Sequence, residues 1–391
     1  MSHHYSHLQS SIAILQQYKP GEPFVHFIKQ YFSQHKKFGS KDRKKISALC
    51  YYYFRTQHLL KAMPMSKAII TACFLCEHYS SPFLLEHSPL LNENITLHSE
   101  EKVVFLGLET AALFPFHSML STAIEAEAFS LSFLYQPLLY IRIRPGKQTK
   151  VLAALQETNI PFEALSINKL AIENGKSLPE SLKPNRDFVI QDASSQNVLD
   201  AAIEKGWLTA TSKSLKVWDC CAASGGKSLL LYDLLNKNIQ LTVSDIRKNI
   251  LHNLQHRLQD AGIVLYKIFV ADLEQGPSRE VEPVFDVVLC DAPCTGSGTW
   301  SRTPEQLAFF DEKMVDDFVS KQLKIATNAS AAVKPTGLFF YITCSVFEKE
   351  NESVVHQLSK QTNMQVLETA YIKGYENRAD TMFVAILQKQ P

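Results

Sequence analysis

Two of the eight cysteines stand in loops that could do chemistry: Cys294 in DAPCTGSGTW (291–300) and Cys344 in YITCSVFEKENE (341–352). Each follows an apolar segment that reads as a strand, so each thiol falls just past a strand end, where a cleft would lie. A thiolate there is a strong nucleophile. The competing reading is packing, because free cysteine behaves as a small hydrophobe. Two thiols on the same edge of one sheet favour chemistry. Pro293 stiffens the first loop, and Gly296 and Gly298 let its main chain approach a planar ligand closely. Four acids, Asp219, Asp245, Asp272 and Asp291, end the segments LKVWD, IQLTVSD, YKIFVAD and FDVVLCD. One such acid is ordinarily a turn or cap residue; their recurrence on successive strands points to a shared ligand edge.

The first of these segments runs into a small-residue loop, DCCAASGGKS (219–228), for which three ligands compete. A Walker A loop would need glycine where Cys221 stands, although Gly226, Lys227 and Ser228 fit. A GxGxxG dinucleotide fingerprint is absent, since Gly225 and Gly226 are adjacent and no glycine precedes them in the turn. S-adenosylmethionine carries no phosphate and needs only close backbone approach plus an acid for its ribose hydroxyls. Asp245, at the next strand end, stands where that acid belongs, and Asp272 where the adenine would lie.

The elements that must position these residues follow from periodicity. After Pro184, short apolar strands alternate with helical stretches at about 226–236, 246–261 and 313–332, and GLFFYITCS forms a fifth strand. Such βαβ alternation implies a parallel sheet with helices on both faces and ligands at its C-terminal edge. Ahead of it, LLYIRIRP (138–145) alternates like a half-buried strand and KQTKVLAALQET reads as a helix, forming a small α+β unit. Residues 24–79 show helical spacing broken at Gly39-Ser40 and Pro64, with Asp42 expected to N-cap the second helix. Residues 119–135 again look helical.

At 391 residues, the chain is long enough for about two to three domains. Its 46% hydrophobic and 20% charged content is that of a globular protein, and no apolar run reaches the ~18 residues that span a bilayer. The first residues resemble no secretory leader and the cysteines form no disulfide framework, so a cytoplasmic location with reduced thiols is expected. Cys73 and Cys76 make a lone CxxC, which lacks the four ligands of a structural zinc site, and no metal is expected. The net charge of +1 hides a gradient: residues 1–60 carry +7 and the rest −6. Lys36, Lys37, Lys41, Arg43, Lys44 and Lys45 gather near the second helix start. Arg142, Arg144, Lys147 and Lys150 form a second basic cluster. Either is a solvated face or a surface that tracks a nucleic-acid backbone.

DCCAASGGK, DAPCTGSGT and YITCSVFEKENE, preceded by FVIQDASSQ (188–196), resemble the motifs of the RNA cytosine-5 methyltransferases of the Sun family, in the family's order. The similarity covers about 187–388 and extends more weakly to about 138. The helical start, with DRKKISALCYYYFR, resembles the NusB-like RNA-binding domain of the ribosomal members. The resemblance implies a Rossmann-like α/β methyltransferase domain (187–391), a helical RNA-binding domain (1–118) and a small α+β RNA-binding unit between them (119–186). It implies S-adenosyl-L-methionine bound by Cys221, Ala222, Ala223, Ser224, Gly225, Gly226, Lys227, Asp245, Asp272 and Asp291. Carbon 5 of cytosine is too weak a nucleophile until carbon 6 has been attacked. By resemblance Cys344 is the attacking thiolate, Cys294 assists release, and Asp291 holds the N3 edge. A Pro-Cys dipeptide alone would assign the nucleophile to Cys294, as in DNA cytosine methyltransferases; TCS followed by ENE decides for Cys344. Lys227 positions Asp291 or the base, or contacts phosphate. Gln191, Asp192, Ser195 and Gln196 match a segment that braces these loops.

RNA contacts are expected from Lys44, Lys45, Arg142, Arg144 and Arg302, while Trp300 is either a stacking platform or a packed side chain. The loop departs from the family at Ser224, where proline is usual, and serine loosens the local φ restriction. The expected activity is 5-methylcytosine formation in RNA, with ribosomal RNA as the substrate; transfer RNA and a non-catalytic RNA-binding or ribosome assembly role on the same fold are the alternatives.

Overall fold

The computed structural model describes residues 3–210, 212–276 and 284–391. Packing divides the chain into two compact units. The first comprises 1–120, 124–136 and Thr299–Glu312, and the second 121–123, 137–298 and 313–391.

The first unit is helical. The helices His3–Gln17, Phe24–Gln34, Ser40–Thr56 and Met65–Cys76 bury an aromatic-rich core that includes Phe24, Phe54 and Phe74. Gly39 caps Ser40–Thr56, and Asp42 sits at its third position, accepting the Gly39 N–H at 3.1 Å. Asp42 is therefore not the N-cap residue, because the helix begins two residues earlier, at the Gly39-Ser40 turn. Within 119–135 the α-helix is confined to Ala126–Ser132. Trp300, 1% exposed, packs in this unit against Phe310 and Phe114. Its role is thus that of a packed side chain.

The second unit begins with a small antiparallel sheet. Its strands β1 (Leu139–Ile143), β2 (Phe162–Ser166), β3 (Lys169–Ile172) and β4 (Phe188–Ile190) are ordered β2-β3-β1-β4. The sequence-derived boundary at 186/187 cuts through this sheet, since β4 completes it by pairing with β1.

The large sheet carries β5 (Leu215–Asp219), β6 (Ile239–Asp245), β7 (Tyr266–Val270), β8 (Phe285–Asp291), β9 (Val333–Thr343), β10 (Met364–Ile372) and β11 (Met382–Lys389). Their order is β10-β11-β9-β8-β5-β6-β7. The strands from β5 to β9 pair in parallel, as their crossover helices require, whereas β11 is antiparallel to both β9 and β10. The five strands read from periodicity are parallel, as expected, and β10 and β11 add an antiparallel edge beyond them. The strand order reverses at β5, which lies between β6 and β8, so the crevice beyond the C-terminal ends of β5 and β8 is the natural ligand site. Among the described residues no helix is long and apolar enough to cross a membrane.

Candidate active site

The small-residue loop leaves β5 and is held from both sides of the switch point. Cys220 N–H donates to Leu289 O on β8 at 2.9 Å, and Ala222 N–H to Ser244 O on β6 at 2.9 Å. Gly225 adopts φ +80° before the helix Gly226–Leu234, and a Cβ there would lie 2.2 Å from Leu254 Cδ1. Only glycine fits this conformation and contact. Ser224, where the family has proline, is tied down instead. Arg257 Nη1 donates to its carbonyl at 3.1 Å and to its hydroxyl at 3.0 Å.

Beyond the loop lies a cavity of about 430 Å³, within the range of small-molecule sites. Cys221, Ala223, Asp245, Asp272, Asp291, Cys294 and Cys344 all line it. Ala222, Ser224, Gly225, Gly226 and Lys227 shape the loop and the helix start behind that lining. Asp245 is buried and accepts the Ala223 N–H at 3.0 Å together with the Arg247 guanidinium, whose Nε lies at 2.9 Å. Burial opposes ionisation of Asp245, but Arg247 and the two main-chain donors outweigh it and hold the carboxyl below the ordinary range. The acid, the apolar wall of Ile246, Ala271, Leu273 and Ile325, and the accessible main chain fit an adenosyl group. Sequence reading missed Phe318, Lys321 and Ile325, which line the cavity from the helix Met314–Ser330. Their spacing is that of one helix face, but no chemical motif marks them.

Cys294 Sγ and Cys344 Sγ lie 3.4 Å apart. The hydrogen bond to Cys344, then burial, push the Cys294 thiol well above its ordinary value, so Cys294 keeps its proton beside its partner. Lys227 Nζ donates to Asp291 Oδ2 at 2.7 Å. Burial works against the Lys227 charge, but Asp291, with Cys344 and Asp219 adding to it, holds the ammonium above its usual range. Asp219, expected at the ligand edge, lies 1% exposed beneath the loop, accepting the Ser228 hydroxyl. Desolvation lifts its carboxyl to about 7; Ser228 opposes this and Asp291 adds to it.

The thiol loops are fixed by close main-chain contacts. Gly298 N–H donates to Cys344 O, and Thr381 N–H to Gly298 O, both at 2.8 Å; a Cβ on Gly298 would meet Thr381 O at 2.1 Å. The ENE segment lies behind them. Glu350 and Asn351 are fully buried, and Asn351 Nδ2 donates to Ser345 O at 2.8 Å.

The charges of Arg142 and Arg144 are met inside the unit and are not offered free to RNA. Both are buried and converge on Asp233, with Arg142 Nη1 to Oδ2 at 2.6 Å and Arg144 Nε to Oδ1 at 3.0 Å. Arg142 also reaches Gln191 Oε1 at 3.2 Å. The pair clamps the small sheet to the helix Gly226–Leu234, and the alternating pattern of β1 placed these charges inward because Asp233 waits there. Gln191 Nε2 bonds Ser195, Gln196 Nε2 bonds Gln191 O, and Asp192 caps the helix Ala193–Asn197. Lys44 and Lys45 are exposed, and Arg302 is half-buried in the segment Thr299–Glu312.

The parallel sheet, its switch point and the cavity over β5 and β8 define the Rossmann-like fold of S-adenosylmethionine-dependent methyltransferases. Residues 207–388 match the family model "16S rRNA methyltransferase RsmB/F". The chain is 26% identical over 247 residues to Ribosomal RNA small subunit methyltransferase B of Xanthomonas campestris pv. campestris, covering 61% of this chain and 54% of that protein. It is 30% identical over 235 residues to the 28S rRNA (cytosine(4447)-C(5))-methyltransferase of Homo sapiens, covering 59% of this chain and 26% of that one. The chain thus spans about half or less of the length of these curated relatives. The crystal structure of PH0851 is similar in fold over 100% of both chains, with TM-score 0.73 and 19% identity. NSun6 from Pyrococcus horikoshii, solved with SFG, is similar over 68% of this chain and 94% of its own, with TM-score 0.58 and 16% identity.

Proposed function

We propose that the protein transfers a methyl group from S-adenosyl-L-methionine to carbon 5 of a cytosine in ribosomal RNA, through a transient bond between Cys344 and carbon 6. The observation that carries this reading is the pair of sulfurs 3.4 Å apart on the wall of the cavity that Asp245 and Asp291 also line. A binding or assembly factor has no need of a second thiol there.

When bound, the cofactor supplies an electrophilic methyl group. Asp245 would hold the ribose hydroxyls and Asp272 the adenine, and the loop 221–226 would give close main-chain approach. Cys344 Sγ adds to carbon 6 and shifts a ring electron pair to carbon 5, which would take the methyl group as the methyl–sulfonium bond breaks and its electron pair returns to sulfur, leaving the thioether S-adenosylhomocysteine. Lys227 orients Asp291, which holds the N3 edge of the base. Loss of the carbon-5 proton then expels Cys344 as thiolate. Cys344 is what keeps Cys294 protonated; once bonded to carbon it no longer does so, and Cys294 is freed to help remove that proton. The target base must leave any stack to reach the thiol. The exposed Lys44 and Lys45 of the helical unit, with Arg302, supply sequence-independent RNA affinity.

The test is methyl transfer from labelled cofactor to ribosomal RNA transcripts, followed by nucleoside analysis. 5-Methylcytosine from wild type and none from Cys344→Ala supports the reading. Equal product from both, or cofactor binding with no transfer to any RNA, overturns it.

A further inference from the structure

A second and larger concavity, of about 790 Å³, lies at the other end of the large sheet. It is bordered by Lys237 in the turn before β6 and by Gln259–Gly262 before β7, and so opens at the N-terminal edge of those strands. The cofactor cavity sits at their C-terminal edge. The seven residues of β6 separate the two by roughly 20 Å at about 3.3 Å per residue.

Lys147, Lys183, Arg186 and Lys237 line this cleft, against a single acid, Asp260. Among the described residues none of the four cations takes part in a salt bridge, whereas neighbouring Lys150 is paired with Asp187 at 2.6 Å. The walls are rigid. Arg144 forms the floor with its charge met by Asp233, and its Nη1 donates to Asn185 O at 2.6 Å and Ala261 O at 3.2 Å. Arg257 Nε adds a bond to Asn185 Oδ1 at 2.9 Å. One buried guanidinium thus holds together the three segments that present these cations, of which Lys183 also donates to Glu180 O at 3.1 Å. Those cations come from three separate turns around a wide opening, which suits a chain of phosphates rather than one enclosed anion.

We propose that this cleft binds the sugar–phosphate backbone of the substrate RNA, so that the substrate is a large structured RNA held on both edges of the sheet and not a short segment around the target cytosine. The proposal rests on the RNA methyltransferase reading and extends it to substrate size.

The test compares wild type with the triple variant Lys183→Gln, Arg186→Gln, Lys237→Gln, none of which touches the cofactor cavity. Binding of a full small-subunit ribosomal RNA transcript and of a short hairpin cut from it is measured across a salt series, beside methyl transfer to each. Expected is a loss of long-RNA affinity and a log–log salt slope shallower by about 2 to 3, with hairpin binding and turnover unchanged. Unchanged long-RNA affinity and slope, with the variant's thermal midpoint intact, overturns the proposal. So does displacement of the long RNA by low millimolar inorganic phosphate, which would mark a single-anion site. The binding series is read independently of turnover, so absence of methyl transfer to either RNA by wild type counts against the methyltransferase reading alone.

Discussion

Glu350 accepts the main-chain N–H of Thr295 at 2.9 Å and its hydroxyl at 2.6 Å, so the residue after Cys294 is fixed by an acid from the loop that carries Cys344. The same carboxylate takes Ser345 Oγ at 2.5 Å and Gln322 Nε2 at 2.9 Å. One buried group therefore sets the distance between the thiols. Glu350→Gln places an amide donor among these donors and leaves one of them unsatisfied, at a cost of about 1–3 kcal/mol. Expected is a loss of one to two orders of magnitude in kcat with the cofactor KM unchanged, and recovery of neither by raising the cofactor concentration. A parallel fall in cofactor affinity would assign Glu350 a merely structural role.

Cys294→Ala should retain attack and lose release. The expected result is a covalent protein–RNA adduct, resolved as a retarded band under denaturing conditions, which disappears when Cys344→Ala is added. Normal turnover by Cys294→Ala with no adduct would reverse the roles assigned to the two sulfurs.

The sulfur separation of 3.4 Å makes a second outcome measurable without RNA. Peroxide should oxidise the two thiols to one disulfide and two waters, abolishing activity until dithiothreitol restores it. Mass spectrometry of the linked peptides checks the bond, and either single alanine variant should fail to form it.

Asp219 gives a pH prediction. Its carboxyl is lifted to about 7 in the folded chain from an ordinary value of 3.8, so the native state holds this proton more tightly than the unfolded state. The stability it contributes is present below about pH 4 and is lost as pH rises toward 7. Asp219→Asn removes the titration. Relative to wild type, the variant should gain stability between pH 4 and 8, by at most about 4 kcal/mol at 1.36 kcal/mol per unit. Urea unfolding of both proteins at pH 5 and pH 8 measures the difference, and parallel changes would show that Asp219 stays ionised throughout.

Arg257→Ala should loosen the loop at Ser224. A cofactor affinity lower by about tenfold, equivalent to ~1.4 kcal/mol, is expected from the lost hydrogen bonds. Equilibrium dialysis with labelled cofactor reads it directly, and unchanged affinity would mean that the glycine turn holds itself.

Much of the catalytic unit was legible because its chemistry is written in local motifs. The strands ending at Asp219, Asp245 and Asp291, and the thiols past β8 and β9, follow from alternation and turn residues alone. The fate of Arg142 and Arg144 was not legible, because nothing local marks Asp233 as their partner 89 to 91 residues away. The antiparallel strands β10 and β11 lie beyond β9, the last strand read from the sequence, and carry no chemical motif. Ser224 read as a weakness in the loop, and only the folded helix Lys248–Asp260 brings Arg257 to it.

The segment Thr299–Glu312 leaves the unit of the large sheet immediately after Gly298 and packs Trp300 against Phe114, and Ala308 against the core of the helical unit, before the chain returns at Lys313. The gene therefore offers no single cut that yields two self-contained halves. An expression fragment beginning after Gln136 would carry an indole and two phenyl rings stripped of their own core, and its insolubility would say nothing about the chemistry of the site.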